Sequence, residues 1–239
     1  MSQTTYQGKF SYHGETASTY EKVRVVEAIW QKEQSWVANY LRSLQEGAYV
    51  LDIPFGTGRF VDLYDQHQMH VVGVDISGDM LKEAHKRLHT GNQPAYHLVQ
   101  SDAENLSLDA NSVDGVLCFR LIHLMPIEVI RRMTKEFARV SRRFVVIQVF
   151  DTSLIKNKVK AEKHNPLRAL LGSVRRRVFH SSIASSKPDM DMPWLSIPNF
   201  SYREVELLTA FQEAGLNLKA KELIEDETNP SRIYCLEKR

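Results

Sequence analysis

Five short apolar runs recur within the first 150 residues, and helical periodicity fills the gaps between most of them. The runs are YVLDI (49–53), HVVGVD (70–75), AYHLVQSD (95–102), VDGVLCF (113–119) and RFVVIQVF (143–150). Runs this apolar suit strands buried on both faces. FVDLYDQH after the first run reads as a short helix. Ser77 can cap a helix carrying Met80, Leu81, Ala84 and Leu88, and Pro126 opens one carrying Ile127, Ile130, Met133, Phe137 and Val140. Strands alternating with helices make βαβ units, hence a parallel sheet covered on both sides.

The flanks extend this frame. From Ser18 to Leu44 one apolar stripe, including Val23, Val26, Trp30, Val37 and Leu41, predicts N-terminal helix. Near the end, Ser201 with Glu204 reads as a capping box for a helix reaching Ala214, stopped by Gly215. LNLKAKELI (216–224) and SRIYCLEK (231–238) add two strands. The expected architecture is a doubly wound, mostly parallel, seven-stranded Rossmann-like α/β sheet, and 239 residues suit one domain. Its parts would be an N-terminal arm and helix (1–44), a core (48–150), an insertion (151–200) and a C-terminal helix with strands (201–239).

The insertion differs in character from the rest. Residues 156–187 hold nine Lys/Arg and one acid, a net +8, whereas the whole chain is +2. After Asn165–Pro166, an apolar stripe of Leu167, Leu170, Leu171, Val174 and Val178 runs beside Arg168, Arg175, Arg176 and Arg177. This predicts a basic amphipathic helix, suited to an anionic ligand or a membrane surface. The modest overall charge and the lack of interleaved aromatics argue against nucleic acid. Cys118 and Cys235 have neither metal spacing nor a disulfide framework, so buried free thiols in a reducing cytoplasm are expected. The polar N-terminus lacks the order of a signal peptide, and no apolar run reaches the ~18 residues of a membrane helix.

In such sheets ligands sit beyond the carboxyl ends of the strands, where D52-I-P-F-G-T-G58 lies. Gly56 and Gly58 permit tight turning and close backbone approach. A triphosphate loop needs Lys and Ser/Thr after its last glycine, and Arg59–Phe60 follow here. A dinucleotide is favoured by Asp75, 19 residues after Gly56, but Val61 replaces the third small residue, and Asp52 would repel a pyrophosphate. An adenosine ligand with a cationic end satisfies both acids. Asp75 would take ribose hydroxyls, Asp52 would face positive charge, and Asp102 could accept from an adenine amino group.

Four segments in order then resemble class I S-adenosylmethionine-dependent methyltransferases: V50-L-D-I-P-F-G-T-G58, V71-V-G-V-D-I-S-G-D-M-L81, Q100-S-D-A103 and V113-D-G-V-L-C-F-R-L-I-H123. Pro54 departs from the family's acid-x-Gly-x-Gly-x-Gly at the first glycine and stiffens the turn. The resemblance implies S-adenosyl-L-methionine as methyl donor and S-adenosyl-L-homocysteine as product. It implies that Gly56 and Gly58 line the methionine portion and that Asp52 reaches its ammonium. Asp75 would grip the ribose, with Ile76 and Met80 on the adenine and Asp102 and Ala103 at its edge. Phe119 and Arg120 would border the sulfonium, and Tyr20 would close over the cofactor.

Methyl transfer is an in-line displacement that depends on alignment of the nucleophile, and an O or N nucleophile also needs a base or a desolvated neutral form. His123, which titrates near working pH, is the candidate base, and Arg120 the candidate for orienting an anionic acceptor. The favoured reading is O-methylation of a small or glycan- or lipid-linked anionic acceptor, with the insertion capping its pocket and 156–187 able to meet the inner membrane surface. N-methylation of a small molecule or peptide, and a non-catalytic cofactor-binding module, are the alternatives; a dehydrogenase is a distant third.

Overall fold

A computed structural model describes residues 12–24, 28–88, 95–150, 200–226 and 230–239. In chain order the elements are α1 (Glu15–Arg24), α2 (Ala28–Leu41), β1 (Tyr49–Asp52), α3 (Val61–Gln66), β2 (His70–Asp75), α4 (Gly78–His85) and β3 (Tyr96–Gln100). There follow β4 (Val113–Cys118), a 3-10 turn (Ile122–Leu124), α5 (Ile127–Val140), β5 (Ser141–Phe150), α6 (Glu204–Glu213), β6 (Leu216–Ile224) and β7 (Ser231–Lys238). The expected sheet is present, in the order β3-β2-β1-β4-β5-β7-β6. Every pairing among β1 to β5 is parallel, and β7 runs antiparallel to both its neighbours.

This order places a switch point between β1 and β4. The chain leaves β1 toward β2 on one side and later returns to β4 on the other, so the loops after the two strands diverge and open a crevice above their carboxyl ends. Alternation along β5 shows how the two faces are filled. Val145, Ile147 and Val149 join the core under α5 and α6, while Phe144 and Val146 join the core that includes residues of α2, α3 and α4. Helix α5 turns Val129, Ile130, Met133, Phe137 and Val140 inward, each fully buried. Ser77 caps α4 as expected, its hydroxyl accepting from the Met80 N–H at 3.2 Å, and Cys118 and Cys235 are free and buried.

The stripe over 18–44 is helical in α1 and α2, on either side of residues 25–27, which lie outside the described residues. One expectation changes in detail. The start of α6 sits two residues later than the Ser201–Glu204 reading, and only the reciprocal half of a capping box forms there. Arg203 is the N-cap, and its N–H donates to Glu206 Oε2 at 2.9 Å; the carboxylate at the third helical position takes the backbone donor, which Glu204 in the first turn cannot reach. The basic segment 156–187 lies outside the described residues.

At the sheet edge, β6 exposes every residue from Asn217 to Leu223. A register shift between Leu218 and Ala220, together with Lys219 and Lys221, guards that edge against pairing with another chain.

Close packing between β4 and β5 depends on Gly115. A Cβ at that position would lie 2.0 Å from the Phe144 ring, far inside van der Waals contact. Gly115→Ala should therefore destabilise the fold by about 1–3 kcal/mol through overpacking. Urea denaturation measures it, and Phe144→Leu in the same chain should restore part of the loss. A Gly115→Ala protein as stable as wild type would contradict this packing.

Candidate functional site

The crevice above β1, β2 and β4 is walled mainly by the glycine loop, the starts of α1 and α4 and the turn after β4, with a volume of ≈ 820 Å³ including its open mouth. The loop takes its shape from bonds to both neighbouring strands. The Ile53 N–H donates to the Leu117 carbonyl at 3.0 Å and the Phe55 N–H to the Val74 carbonyl at 2.8 Å. The Ile53–Pro54 peptide between them is cis. Gly56 has φ +57°, and a Cβ there would meet nothing within 4 Å. It lines the crevice, so its bare backbone is open to a ligand.

Asp75, 5% exposed, joins the loop to the next element. Its Oδ2 accepts from the Gly56 N–H and its Oδ1 from the Ser77 N–H, both at 2.8 Å. Burial pushes its carboxyl up to about 6 despite these bonds. Asp52, 2% exposed, ends β1 beneath the loop. Burial pushes its carboxyl up to about 8, while the nearby Tyr64 hydroxyl and Arg59 pull the other way. A neutral buried acid of this kind readily ionises beside a cation.

Residues 12–20 close one side of the crevice. Tyr12 and Tyr20 both line it, their rings meeting edge to face at 5.9 Å. The Ser77 hydroxyl that caps α4 also donates to the Tyr12 carbonyl, and the Gly14 N–H donates to Asp79 Oδ2 at 3.0 Å.

Arg120 belongs to a group whose other members were absent from the sequence-based site. Glu33 of α2 is fully buried. Its Oε2 lies 2.9 Å from Arg120 Nε and 2.6 Å from Arg59 Nη1, and its Oε1 accepts from Gln148 Nε2 at 2.7 Å. The other end of Gln148 accepts the Arg120 backbone N–H at 2.8 Å, and Arg120 has φ +57°. The left-handed backbone at a non-glycine residue is strained, and Gln148 helps hold it. Arg59 lies over the Trp30 ring at 3.9 Å and donates from Nη2 to the Trp30 carbonyl. One sequence signal could have revealed this group. Glu33 falls at helical spacing between Trp30 and Val37, so the α2 stripe carries an acid on its buried side.

Of the expected site residues, Tyr20, Asp52, Gly56, Asp75, Ile76, Met80, Phe119 and Arg120 meet on the crevice. Gly58 stands behind the wall at φ +77°, where a Cβ would lie 3.0 Å from Val61. Asp102 and Ala103 follow the end of β3 outside the lining residues; Asp102 Oδ1 accepts from the Glu104 N–H at 3.1 Å, and Ala103 is buried. His123 also lies outside the lining, 6% exposed, with its ring tilted against Phe150 at 4.3 Å. Its neighbours Leu121 and Leu124 line the crevice.

Two guanidiniums that share one buried carboxylate make Glu33 costly to remove. Glu33→Ala should destabilise the fold by about 3–5 kcal/mol, because it leaves buried cations behind. Exposed Glu46→Ala should stay within about 0.5 kcal/mol. Chemical denaturation of both variants checks this, and equal stabilities would contradict it.

Residues 50–143 match the family model of a methyltransferase domain. No curated protein matches the chain in sequence. Among solved structures, magnesium protoporphyrin IX methyltransferase from Synechocystis, with bound S-adenosylhomocysteine, has 19% identity and a TM-score of 0.63, covering 87% of this chain and 83% of its own. An S-adenosylmethionine-dependent methyltransferase from Methanosarcina mazei has 19% identity and a TM-score of 0.58, covering 84% and 96%. One from Thermotoga maritima, described as a possible histamine N-methyltransferase, has 16% identity and a TM-score of 0.57, covering 93% and 97%. At these identities the likeness is one of fold. The methyltransferase-domain match over residues 50–143, set in this sheet order, bears out the expectation of a methyltransferase that uses S-adenosylmethionine as its methyl donor.

Proposed function

We propose that the crevice holds the donor with its adenosine over Asp75, Ile76 and Met80 and its methionine end over Gly56, beside Asp52. The observation that carries this is the pair of buried acids around an open glycine. The Gly56 backbone is accessible, Asp75 offers a fixed carboxylate, and Asp52 is suited to a cationic partner. Tyr20 and Phe119 complete the walls from α1 and β4, and Gly58 sets the turn. Asp102 and Ala103 are assigned to the adenine edge from their place after β3. The donor supplies a methyl group already activated as a sulfonium. The chain's own contribution is to exclude water, align the acceptor and manage its proton.

For the acceptor, we assign Arg120 to an anionic group and His123 to proton removal from an oxygen nucleophile. Arg120 supports this by lining the crevice, and His123 by its place in the turn that supplies Leu124 to the wall. The insertion supports an anionic acceptor, small or glycan- or lipid-linked, because 156–187 carries net +8 and follows β5 in the sequence. We place the enzyme in the cytoplasm, with 156–187 meeting the inner membrane surface. Among the described residues no helix is long and apolar enough to cross a membrane. Nucleic acid is not the expected acceptor. Labelling a cell extract with isotopic donor and identifying the product tests this reading; an amine product would replace O-methylation by N-methylation.

Three outcomes follow. With its carboxyl raised to about 8, Asp52 is mostly protonated at pH 7 in the free protein. A cationic ligand favours the carboxylate, so donor binding near pH 7 should release close to one proton, and affinity should rise from about pH 6 to 8. Calorimetry in buffers of different ionisation enthalpy measures the release, and Asp52→Asn should abolish it. The sign for stability is opposite: a raised carboxyl makes the free fold less stable as pH climbs from its unfolded value toward 8. His123→Ala should slow transfer by ~10²-fold or more with donor affinity unchanged; full activity would assign the ring to packing against Phe150. Charge reversal at Arg175, Arg176 and Arg177 should weaken sedimentation with anionic vesicles and spare donor binding; unchanged sedimentation would remove the membrane role.

A further inference from the structure

One polar side chain, that of Gln148, stands inside the apolar stretch FVVIQVF of β5, and it is fully buried. Alternation along the strand puts it on the face of Phe144 and Val146, which otherwise packs as apolar core. β4 ends at Cys118, opposite Ile147, whereas β5 runs on to Phe150. Gln148 is therefore the first residue of β5 beyond the last β4 pair, beside the turn that carries Arg120.

A buried amide needs a partner at each end. Gln148 Oε1 accepts from the Arg120 N–H at 2.8 Å, and Nε2 donates to Glu33 Oε1 at 2.7 Å. A backbone N–H can only donate and an ionised carboxylate can only accept, so the amide fits one way round. Glu33 Oε2 in turn lies 2.9 Å from Arg120 Nε. One amide thus holds Arg120 twice, directly at its backbone and through Glu33 at its side chain.

Arg120 requires such a hold. Its φ of +57° is a conformation that residues with a Cβ seldom adopt, and they keep it only where the surroundings impose it. Phe150, two residues on and on the same face of β5, has its ring 6.0 Å from Arg120 Cζ and 4.3 Å from the His123 ring. One face at the end of β5 therefore reaches both residues assigned to the acceptor.

We propose that Gln148 is a positioning residue for methyl transfer. It fixes the left-handed backbone of Arg120 and, through Glu33, the direction of its guanidinium, and so sets the alignment of the acceptor. The proposal rests on the assignment of Arg120 to the acceptor and deepens it.

The test separates transfer from donor binding. Label transfer from isotopic S-adenosylmethionine into a cell extract reads the first, and calorimetry with S-adenosylhomocysteine reads the second. Gln148→Met keeps the length of the side chain and removes both hydrogen bonds. It should slow transfer by ~10-fold or more, with S-adenosylhomocysteine affinity within ~3-fold of wild type. Gln148→Asn, an amide one methylene shorter, should behave likewise and serves if Gln148→Met does not fold. The Arg120 Nε–H resonance should shift in both variants. Arg120→Gly, which accepts φ +57° without strain, identifies that resonance by its loss and should itself slow transfer. Transfer at the wild-type rate in both Gln148 variants, an unmoved Arg120 resonance, or a donor affinity that falls as far as transfer would each overturn the role of Gln148 alone. Wild-type transfer by Arg120→Gly would instead overturn the assignment of Arg120 to the acceptor, and the proposal with it.

Discussion

The Asp75 carboxylate accepts one hydrogen bond from the Gly56 N–H and one from the Ser77 N–H, at 2.8 Å each. Those two bonds tie the glycine loop to the start of α4, and much of the crevice is arranged around them. Ser77 caps α4 and donates its hydroxyl to the Tyr12 carbonyl, so the N-terminal segment is fixed to the same corner. Gly56 lines the crevice while its N–H is held by Asp75. A buried carboxylate with fixed partners is a rigid object, and a rigid first contact is what a transfer reaction governed by alignment requires.

Two further buried acids divide the work by charge. Asp52 has its carboxyl raised to about 8 by burial, so it is mostly neutral at pH 7. Glu33 is held between Arg59, Arg120 and Gln148, where its charge is already answered. The crevice thus carries both a neutral buried acid and guanidiniums. Glu33 draws together α2, the loop after β1, the turn after β4 and β5, which share no sequence neighbourhood. The strained backbone of Arg120 is held at this junction.

The sequence was most legible where the pattern was local. Strands β2, β6 and β7 coincide with their apolar runs, and Ser77 and Pro126 mark their helices, because periodicity and capping are properties of neighbouring residues. Asp52, Gly56 and Asp75 were legible because a loop ligand must be met at strand ends. The cap of α6 was misplaced by two residues, since Ser201–Glu204 and Arg203–Glu206 both offer an acid three positions on and only the backbone path decides between them. Arg59, Trp30 and Gln148 were not assigned to the site. Their importance comes from a buried carboxylate 26 residues before Arg59, and no spacing rule encodes that meeting. His123 stood at motif spacing beside the crevice, yet rotation along the 3-10 turn carries its ring toward Phe150.

Whether the acids around the glycine loop receive the methyl donor is read most directly by calorimetric titration of wild type and Asp75→Ala with S-adenosylhomocysteine. Wild type should show a single site, and the variant an affinity lower by ~10-fold or more, since hydrogen bonds to a charged group are lost. Equal affinity in the two folded proteins would contradict it.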